Sequence, residues 1–362
     1  MQRQDRPPTA KRTDRAPANN GPRPAKVTLK DVAARAGVHA STVSRALKPE
    51  TRPMVTPDVV RRVTDAATAL GYRPNPIASS LRTNRTLTIG VVIPDLTNAL
   101  FPPIIRGIED TLAPAGYTAI IANTDNDAGR ERLTVERMRE RRVDGLILAT
   151  ARRRDGLIDD CRAENLPLVL INRTVDRTGV ACIINDDTLG MRLVVDHMAA
   201  LGHRDIAFVG GPRALSTGDT RHRGFTAAMR AAGLKPDPAL IAVADAFRDE
   251  AGYAACETLI ARGHDFTAVI AANDLLALGC LDAFAAHGLS CPGDVSLTGF
   301  NDIPNLHRMS PPLTTVRISH YHMGARAAET LMELIRNEHA PIQKLLLEPE
   351  LVVRGSTAPP KN

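Results

Sequence analysis

From Leu87 onward the sequence alternates short, continuous apolar runs with stretches of helical periodicity, and this alternation restricts the fold more than any other feature. Runs at 87–93 (LTIGVVI), 117–122 (YTAIIA), 143–149 (VDGLILA) and 166–171 (LPLVLI) are followed by a second series at 206–210 (IAFVG), 239–244 (ALIAVA), 267–272 (TAVIAA) and 295–300 (VSLTGF). Between and after them, residues 101–113, 128–140, 188–201, 220–232, 249–261, 274–287 and 320–336 have helical spacing. A run that is apolar at successive positions is buried on both faces, the condition of a parallel strand covered by helices above and below. Four plus four such strands over about 270 residues exceed one comfortable open sheet, so the pattern predicts two α/β lobes. Sheets of this kind take ligands beyond the carboxyl ends of their strands, and two facing lobes turn those ends into a cleft.

The segment ahead of the lobes has a different texture. Residues 27–47, VTLKDVAARAGVHASTVSRAL, read as two short helices around a tight turn. Thr28 caps the first helix, and Leu29, Val32, Ala33 and Ala36 form its apolar stripe. Gly37 supplies the turn, Val38 fills the angle, and Val43 and Leu47 lie one turn apart on the second helix. The opposite face carries Ser41, Thr42, Ser44, Arg45 and Lys48, short donors and one long guanidinium suited to a nucleic-acid groove. A third helix begins at Thr56-Pro57-Asp58, buries Val59, Val63, Ala66, Ala67 and Leu70, and stops at Gly71. Residues 1–26, poor in apolar side chains and rich in Arg, Pro and Asn, read as a disordered basic arm. Residues 75–82 (NPIASSLR) are too short for a free-standing helix and read either as a linker or as an element that folds on docking.

Charge supports this division. Residues 1–84 hold 16 Lys and Arg against 6 Asp and Glu, whereas the remainder holds 30 against 34. Only the first part therefore expects a polyanionic partner. The five cysteines (Cys161, Cys182, Cys256, Cys280, Cys291) form no ligand-like cluster and read as reduced thiols of a cytoplasmic protein. No apolar run has transmembrane length and the N-terminus has no signal-peptide core, so no membrane partner is expected.

Polar groups recur where strands end: Asp95 and Asn98, then Asn123, Thr124 and Asp125, then Asn172 and Arg173, and in the second series Asn273-Asp274 and Asn301-Asp302. Phe101, Phe247 and Phe300 are the aromatic candidates, and Arg221 stands before a helix with Phe225 and Ala228 inward. Amides and carboxylates that exchange hydrogen bonds with hydroxyls, beside an aromatic surface, suit a small polar molecule such as a sugar. Each has a plainer role open to it: Asp95 and Asn273 as helix caps, Phe101 and Phe300 as core, Arg221 as a solvated side chain. Catalysis lacks residues to carry it. There is no phosphate-binding glycine loop and no nucleophile elbow, and His320 and His322, two apart at a helix start, point in different directions. His203 and His264 follow glycine at helix ends, where a cation meets the helix dipole favourably.

Taken together, VTLKDVAARAGV, TVSRAL and GYRPNPIASSL in the first part, and IGVVIPDLTNALF, RGIEDTLAPAGY, LGHRDIAFVGGP, AANDLLALG, SLTGFNDIP and PPLTTVR in the second, resemble the LacI family of bacterial transcriptional regulators from Val27 to about Thr357. The resemblance implies an all-α helix-turn-helix head at 27–74, a hinge helix and linker at 75–86, and a two-lobed α/β body of the periplasmic-binding-protein kind at 87–357, with a tail at 358–362. The lobes would comprise 87–184 plus 318–345, and 185–317 plus 346–357. It implies base reading by Ala40, Ser41 and Arg45, phosphate contacts from Thr28, Thr42, Ser44 and Asn75, and a minor-groove hinge of Ile77, Ala78 and Leu81, with Tyr72 supporting the head. Effector contacts would come from Asp95, Asn98, Phe101, Asn172, Arg221, Phe247, Asn273 and Asn301. The implied partners are a palindromic operator DNA, a second copy of the chain in a homodimer, and a small polar, carbohydrate-like effector; no cofactor or metal is implied. Dimer contacts are expected from the helices at 101–113 and 128–139. The function expected is repression of a catabolic operon released by a sugar-like inducer, against the alternative of a co-repressor such as a purine, nucleoside or sugar acid, and the remote alternative of an enzyme. Departures from the family pattern are His39 at a usual capping serine, Lys48 for asparagine, a loop to Val55 about two residues longer, and Asn301 for a common aspartate.

Overall fold

The computed structural model describes residues 27–48, 51–73, 85–263, 265–337 and 339–361. The chain separates into two compact units, residues 1–79 and 80–362, each with its own core.

The first unit contains α1 (Leu29–Ala36), α2 (Ala40–Leu47) and α3 (Pro57–Ala69). Thr28 starts α1 with a reciprocal cap: its hydroxyl accepts from the Asp31 amide while its own amide donates to the Asp31 carboxylate at 2.7 Å. Those bonds hold the Asp31 carboxyl below its ordinary pKa. Gly37 takes φ 66, the left-handed conformation that ends α1. His39 takes the serine's role at the start of α2, its Nδ1 accepting from the Ser41 amide at 3.2 Å. Residues 51 and 52 close the other end of α2. The Thr51 hydroxyl donates to the Arg45 carbonyl and the Arg52 Nε to the Ala46 carbonyl, so residues beyond the helix satisfy its last carbonyls. Val32, Ala33, Ala36, Val43, Val63, Ala66 and Ala67 form the core as their spacing predicts, joined by Ala46.

The second unit holds two six-stranded sheets. The first runs β11-β5-β4-β3-β1-β2, built from β1 (Thr88–Ile93), β2 (Thr118–Asn123), β3 (Gly145–Leu148), β4 (Leu168–Ile171), β5 (Ala181–Asn185) and β11 (Lys344–Leu347). The second runs β12-β10-β9-β8-β6-β7, built from β6 (Ile206–Gly210), β7 (Ile241–Val243), β8 (Ala268–Ala271), β9 (Ser296–Asn301), β10 (Thr314–Arg317) and β12 (Glu350–Val352). All pairings are parallel except β10 with β12. The inner strands are buried on both faces, as continuous apolar runs require, while β2, at an edge, is only half-buried despite its apolar run. Ile89, Val91 and Ile93 of β1 turn to one core, while Val92, Leu146, Leu148 and Leu170 turn to another with Val135, Met138 and Ile158. Each such side chain removed from water contributes about 1.5–3 kcal/mol.

Helices α4 (Phe101–Leu112), α5 (Ala128–Glu140), α6 (Gly156–Ala163) and α11 (His320–Arg336) cover the first sheet. Helices α7 (Asp187–Ala200), α8 (Ser216–Ala231), α9 (Asp249–Ala261) and α10 (Asp274–Ala286) cover the second. The chain thus crosses between lobes after β5, after β10 and after β11. Helices α4 and α11 cross so closely that a Cβ on Gly107 would lie 2.1 Å from the Tyr321 carbonyl oxygen, and one on Gly324 would lie 2.0 Å from that of Ile104. Among the described residues, no helix is long and apolar enough to cross a membrane.

Several expectations need correction. Four strands, β5, β10, β11 and β12, add to the eight read from apolar runs, and α6 adds to the helices. Helix α8 begins at Ser216, not 220, so Arg221 lies within it and is 2% exposed: it is neither ahead of the helix nor solvated. His203 is buried, and burial lowers its pKa; its Nε2 faces the Ala358 carbonyl at 2.9 Å and its Nδ1 the Thr267 hydroxyl at 2.8 Å. It ties the end of the chain to the second sheet and does not answer a helix dipole as a cation. His264 and the arm, Asn75, Ile77, Ala78 and Leu81 lie outside the described residues. The cysteines are free thiols, with Cys291 alone half-buried.

Candidate functional site

The carboxyl ends of β1 and β4 in one lobe, and of β8 and β9 in the other, open on one cleft. The structure brings all eight sequence-predicted effector residues to its walls: Asp95, Asn98, Phe101 and Asn172 from the first lobe, and Arg221, Phe247, Asn273 and Asn301 from the second. It adds Asn126, Arg173 and Thr217, among others.

Several of these side chains are already engaged. The Asp95 carboxylate accepts from the Thr97 amide and hydroxyl at 2.8 and 2.7 Å. Asn273 caps α10 through its Oδ1, which accepts from the Leu276 amide. Phe101 is 1% exposed, so it is core and cleft wall at once. Phe300 is wholly buried and lies behind the wall: the Arg221 guanidinium stacks over its ring at 3.7 Å from the centroid. Gly190 makes room for that ring, since a Cβ there would come within 2.4 Å of it. Phe247 similarly packs on Gly211, where a Cβ would meet the ring at 2.2 Å.

Arg221 is the most firmly held group in the cleft. Its Nε donates to Asp187 Oδ1 at 3.0 Å, its Nη1 to the Ala272 carbonyl at 2.7 Å, and its Nη2 lies 2.9 Å from Asp187 and 3.4 Å from Asn301 Oδ1. Of the five N–H groups of a guanidinium, these four contacts leave one, on Nη1, for a ligand, with no further ordering of the side chain. Burial raises the pKa of Asp187 and the charge of Arg221 opposes it. Behind Asn273, fully buried Asp274 accepts from the Thr315 hydroxyl at 2.5 Å and the Ile303 amide at 3.0 Å, and burial pushes its carboxyl up to about 6.

Other strand-end candidates turn away. Asn123 Oδ1 accepts from the Leu96 amide and Asp125 pairs with Arg130, so both brace the loop around Asn126. Asp302 is taken by Arg317 and Arg354 at 2.7 Å each. Among the described residues no group of His, Cys, Asp and Glu could hold a metal ion. What the cleft offers is a mixed set of amide donors and acceptors, one half-buried carboxylate, two guanidiniums and aromatic edges. Such a set suits a small polar molecule.

In the first unit, Ser41 and Arg45 are exposed on α2, and Ala40, Thr42 and Ser44 are partly so. Ser41, Thr42, Ser44 and Arg45 turn away from the face that Val43, Ala46 and Leu47 hold against α1 and α3, whereas Ala40, at the start of the helix, packs against that core. Thr28 remains exposed, with its hydroxyl donating to Asp31.

Two family models match the chain: bacterial regulatory proteins of the lacI family over residues 28–75, and the periplasmic binding protein-like domain over 195–357. The HTH-type transcriptional regulator RegA of Clostridium saccharobutylicum is 34% identical over 332 residues, covering 91% of this chain and 99% of that protein. Among solved structures, the transcriptional regulator CelR in complex with cellobiose is 30% identical with a TM-score of 0.70, covering 91% of this chain and 99% of that one. The lac repressor dimer bound to operator and an anti-inducer is 27% identical with a TM-score of 0.81, covering 92% and 99% respectively.

Proposed function

Because the chain belongs to the lacI family of bacterial regulatory proteins, we propose that it represses a catabolic operon and that a small carbohydrate-like inducer, bound between the lobes, releases it. The protein is a DNA-binding transcriptional regulator with a small-molecule effector site, not an enzyme. Repression is the finer reading. It needs only a dimer seated on promoter DNA and no separate activating surface. The solved lac repressor dimer on its operator supports two symmetric heads on a palindrome. Within each head, Ala40 and Ser41 permit close approach to base edges, and Arg45 reaches a guanine edge. Thr28, Thr42, Ser44 and Asn75 take phosphates, and Ile77, Ala78 and Leu81 form the minor-groove hinge. Helices α4 and α5 supply most of the dimer contacts.

The observation that carries the inducer class is the preformed Arg221 platform, stacked on Phe300 and fixed by Asp187, facing the amides Asn98 and Asn172 across the cleft. Paired donors and acceptors on opposing lobes match the hydroxyls of a pyranose or furanose. Cellobiose in the CelR complex is a ligand of that chemistry. A ligand shifts the lobe arrangement only by binding one arrangement better than another, and contacts to both lobes provide that difference.

The test is genetic and biochemical together. Deleting the gene raises transcription of the operon whose promoter the protein binds, and a thermal-shift screen of sugars, sugar acids, nucleosides and purines gives hits among the first two classes. Transcription that falls on deletion overturns repression, and hits confined to nucleosides or purines overturn the carbohydrate class.

A further inference from the structure

Two adjacent cleft residues, Asn172 and Arg173 at the carboxyl end of β4, carry buried polar atoms that no other group among the described residues satisfies. Asn172 is 8% exposed and Arg173 6%, and both line the cleft. The Oδ1 of Asn172, an acceptor, has no donor, and the Nε of Arg173, a donor, has no acceptor. Asn172 holds φ 61, a left-handed conformation that asparagine tolerates, and its amide is anchored to the Ile183 carbonyl at 3.0 Å. The pair is therefore fixed by backbone at the strand end.

Arg173 also has no ion-pair partner among the described residues. Its neighbours are each matched: Arg221 with Asp187 at 2.9 Å, Arg152 with Glu131 at 3.3 Å, Arg153 with Asp176 at 2.9 Å. Arg173 has a neutral partner instead, its Nη1 donating to Asn126 Oδ1 at 3.0 Å. Glu131 contributes a favourable field from nearby, but its oxygens are taken by the Thr150 hydroxyl and by Arg152. Asp95, the one carboxylate among the lining residues, is half-exposed and accepts from Thr97. Burial lowers the pKa of Arg173 to about 10, which still leaves it charged at neutral pH. A buried cation without a counter-charge is costly, and the cost is relieved by an anion that enters the cleft.

We propose that the effector is an acidic sugar, a uronate or aldonate, whose carboxylate is bound by Arg173 and whose neighbouring hydroxyl donates to Asn172. A neutral sugar would fill both hydrogen bonds but leave the guanidinium without a counter-charge; an anion that lacks hydroxyls would leave Asn172 Oδ1 unpaired. The assignment rests on the cleft being the effector site, and it narrows carbohydrate-like to anionic.

The test is calorimetric titration of the full-length protein with galacturonate, glucuronate, gluconate and galactonate, each against its neutral parent, galactose or glucose. At least one acid binds about 10- to 100-fold tighter than its parent, the span expected for a charge-assisted bond. Arg173→Gln abolishes that preference by weakening the acid far more than the neutral parent, which loses one hydrogen bond but no ion pair, and does not lower the melting temperature of the free protein, because it removes an unpaired buried charge. Arg173→Lys keeps part of the preference. A neutral parent that binds as well as its acid, or equal losses for both in Arg173→Gln, overturns the acidic assignment while the carbohydrate reading stands. If no acid in the panel binds, the assignment falls too, and binding of nucleosides or purines alone removes both readings.

Discussion

Asp274 offers a quantitative test of how the second lobe is held together. It is wholly buried at the first turn of α10 and bonded to the Thr315 hydroxyl and the Ile303 amide, yet burial dominates and raises its carboxyl from 3.8 to about 6. Between those values the folded protein keeps a proton that the unfolded chain has released. Stability therefore falls as pH rises through this window, the reverse of the usual ion-paired aspartate. At about 1.4 kcal/mol per unit over roughly two units, the charged form costs the fold about 3 kcal/mol at neutral pH relative to pH 4. Asp274→Asn keeps the shape, with its amide oxygen accepting from Ile303 and its amide nitrogen donating to Thr315. The variant is accordingly expected to gain about 3 kcal/mol on the wild type between pH 4 and pH 7. Urea unfolding followed by far-UV circular dichroism measures this, since the chain has no tryptophan to report by fluorescence. Parallel pH profiles for the two proteins would refute the reasoning, because they would mean that Asp274 titrates alike in the folded and unfolded states.

Three further outcomes follow from named contacts. Asp187→Asn strips the counter-charge from Arg221 and costs about 3 kcal/mol of body stability; a double-mutant cycle with Arg221→Met should show strong coupling, and strict additivity would contradict the pairing. Gly107→Val forces a Cβ against the Tyr321 carbonyl where neither backbone can retreat, costing about 3 kcal/mol in chemical unfolding; wild-type stability would mean that α4 and α11 do not cross so closely. Arg45→Ala relaxes discrimination at one base pair by about 1–3 kcal/mol in titrations on matched and substituted operators, whereas equal losses at all sequences would make Arg45 a phosphate contact.

Much of this architecture is legible in the sequence because the forces that build it are periodic. The 3.6-residue spacing of Val32, Ala33 and Ala36 reveals the head, and apolar runs such as LTIGVVI reveal strands buried on both faces. Two of the strands not read from the sequence, β10 and β12, lack such a run. In β10, Thr314 and Thr315 are fully buried not as apolar groups but through hydrogen bonds, including the one to Asp274, and β12 is only three residues long on an edge. The effector candidates stand out because a polar residue just after an apolar run has few structural reasons to be there. What one chain of letters hides is pairing. Asp187 lies 34 residues from Arg221, Gly107 lies far along the chain from Tyr321, and the isolation of Arg173 becomes visible only when every nearby carboxylate has been assigned elsewhere. Gly218 and Asp219 disguise the first turn of α8, so the sequence pattern places Arg221 too near the start of that helix.

The central claim, that a ligand in the cleft governs the grip on DNA, is tested most directly by fluorescence anisotropy on a selected palindromic operator, with and without a saturating acidic sugar that binds the free protein. The account predicts that the ligand weakens operator binding by about 5- to 150-fold, the range of a coupling of 1–3 kcal/mol, and that shuffled DNA is unaffected. Operator affinity that stays the same or tightens when the cleft is filled would contradict it.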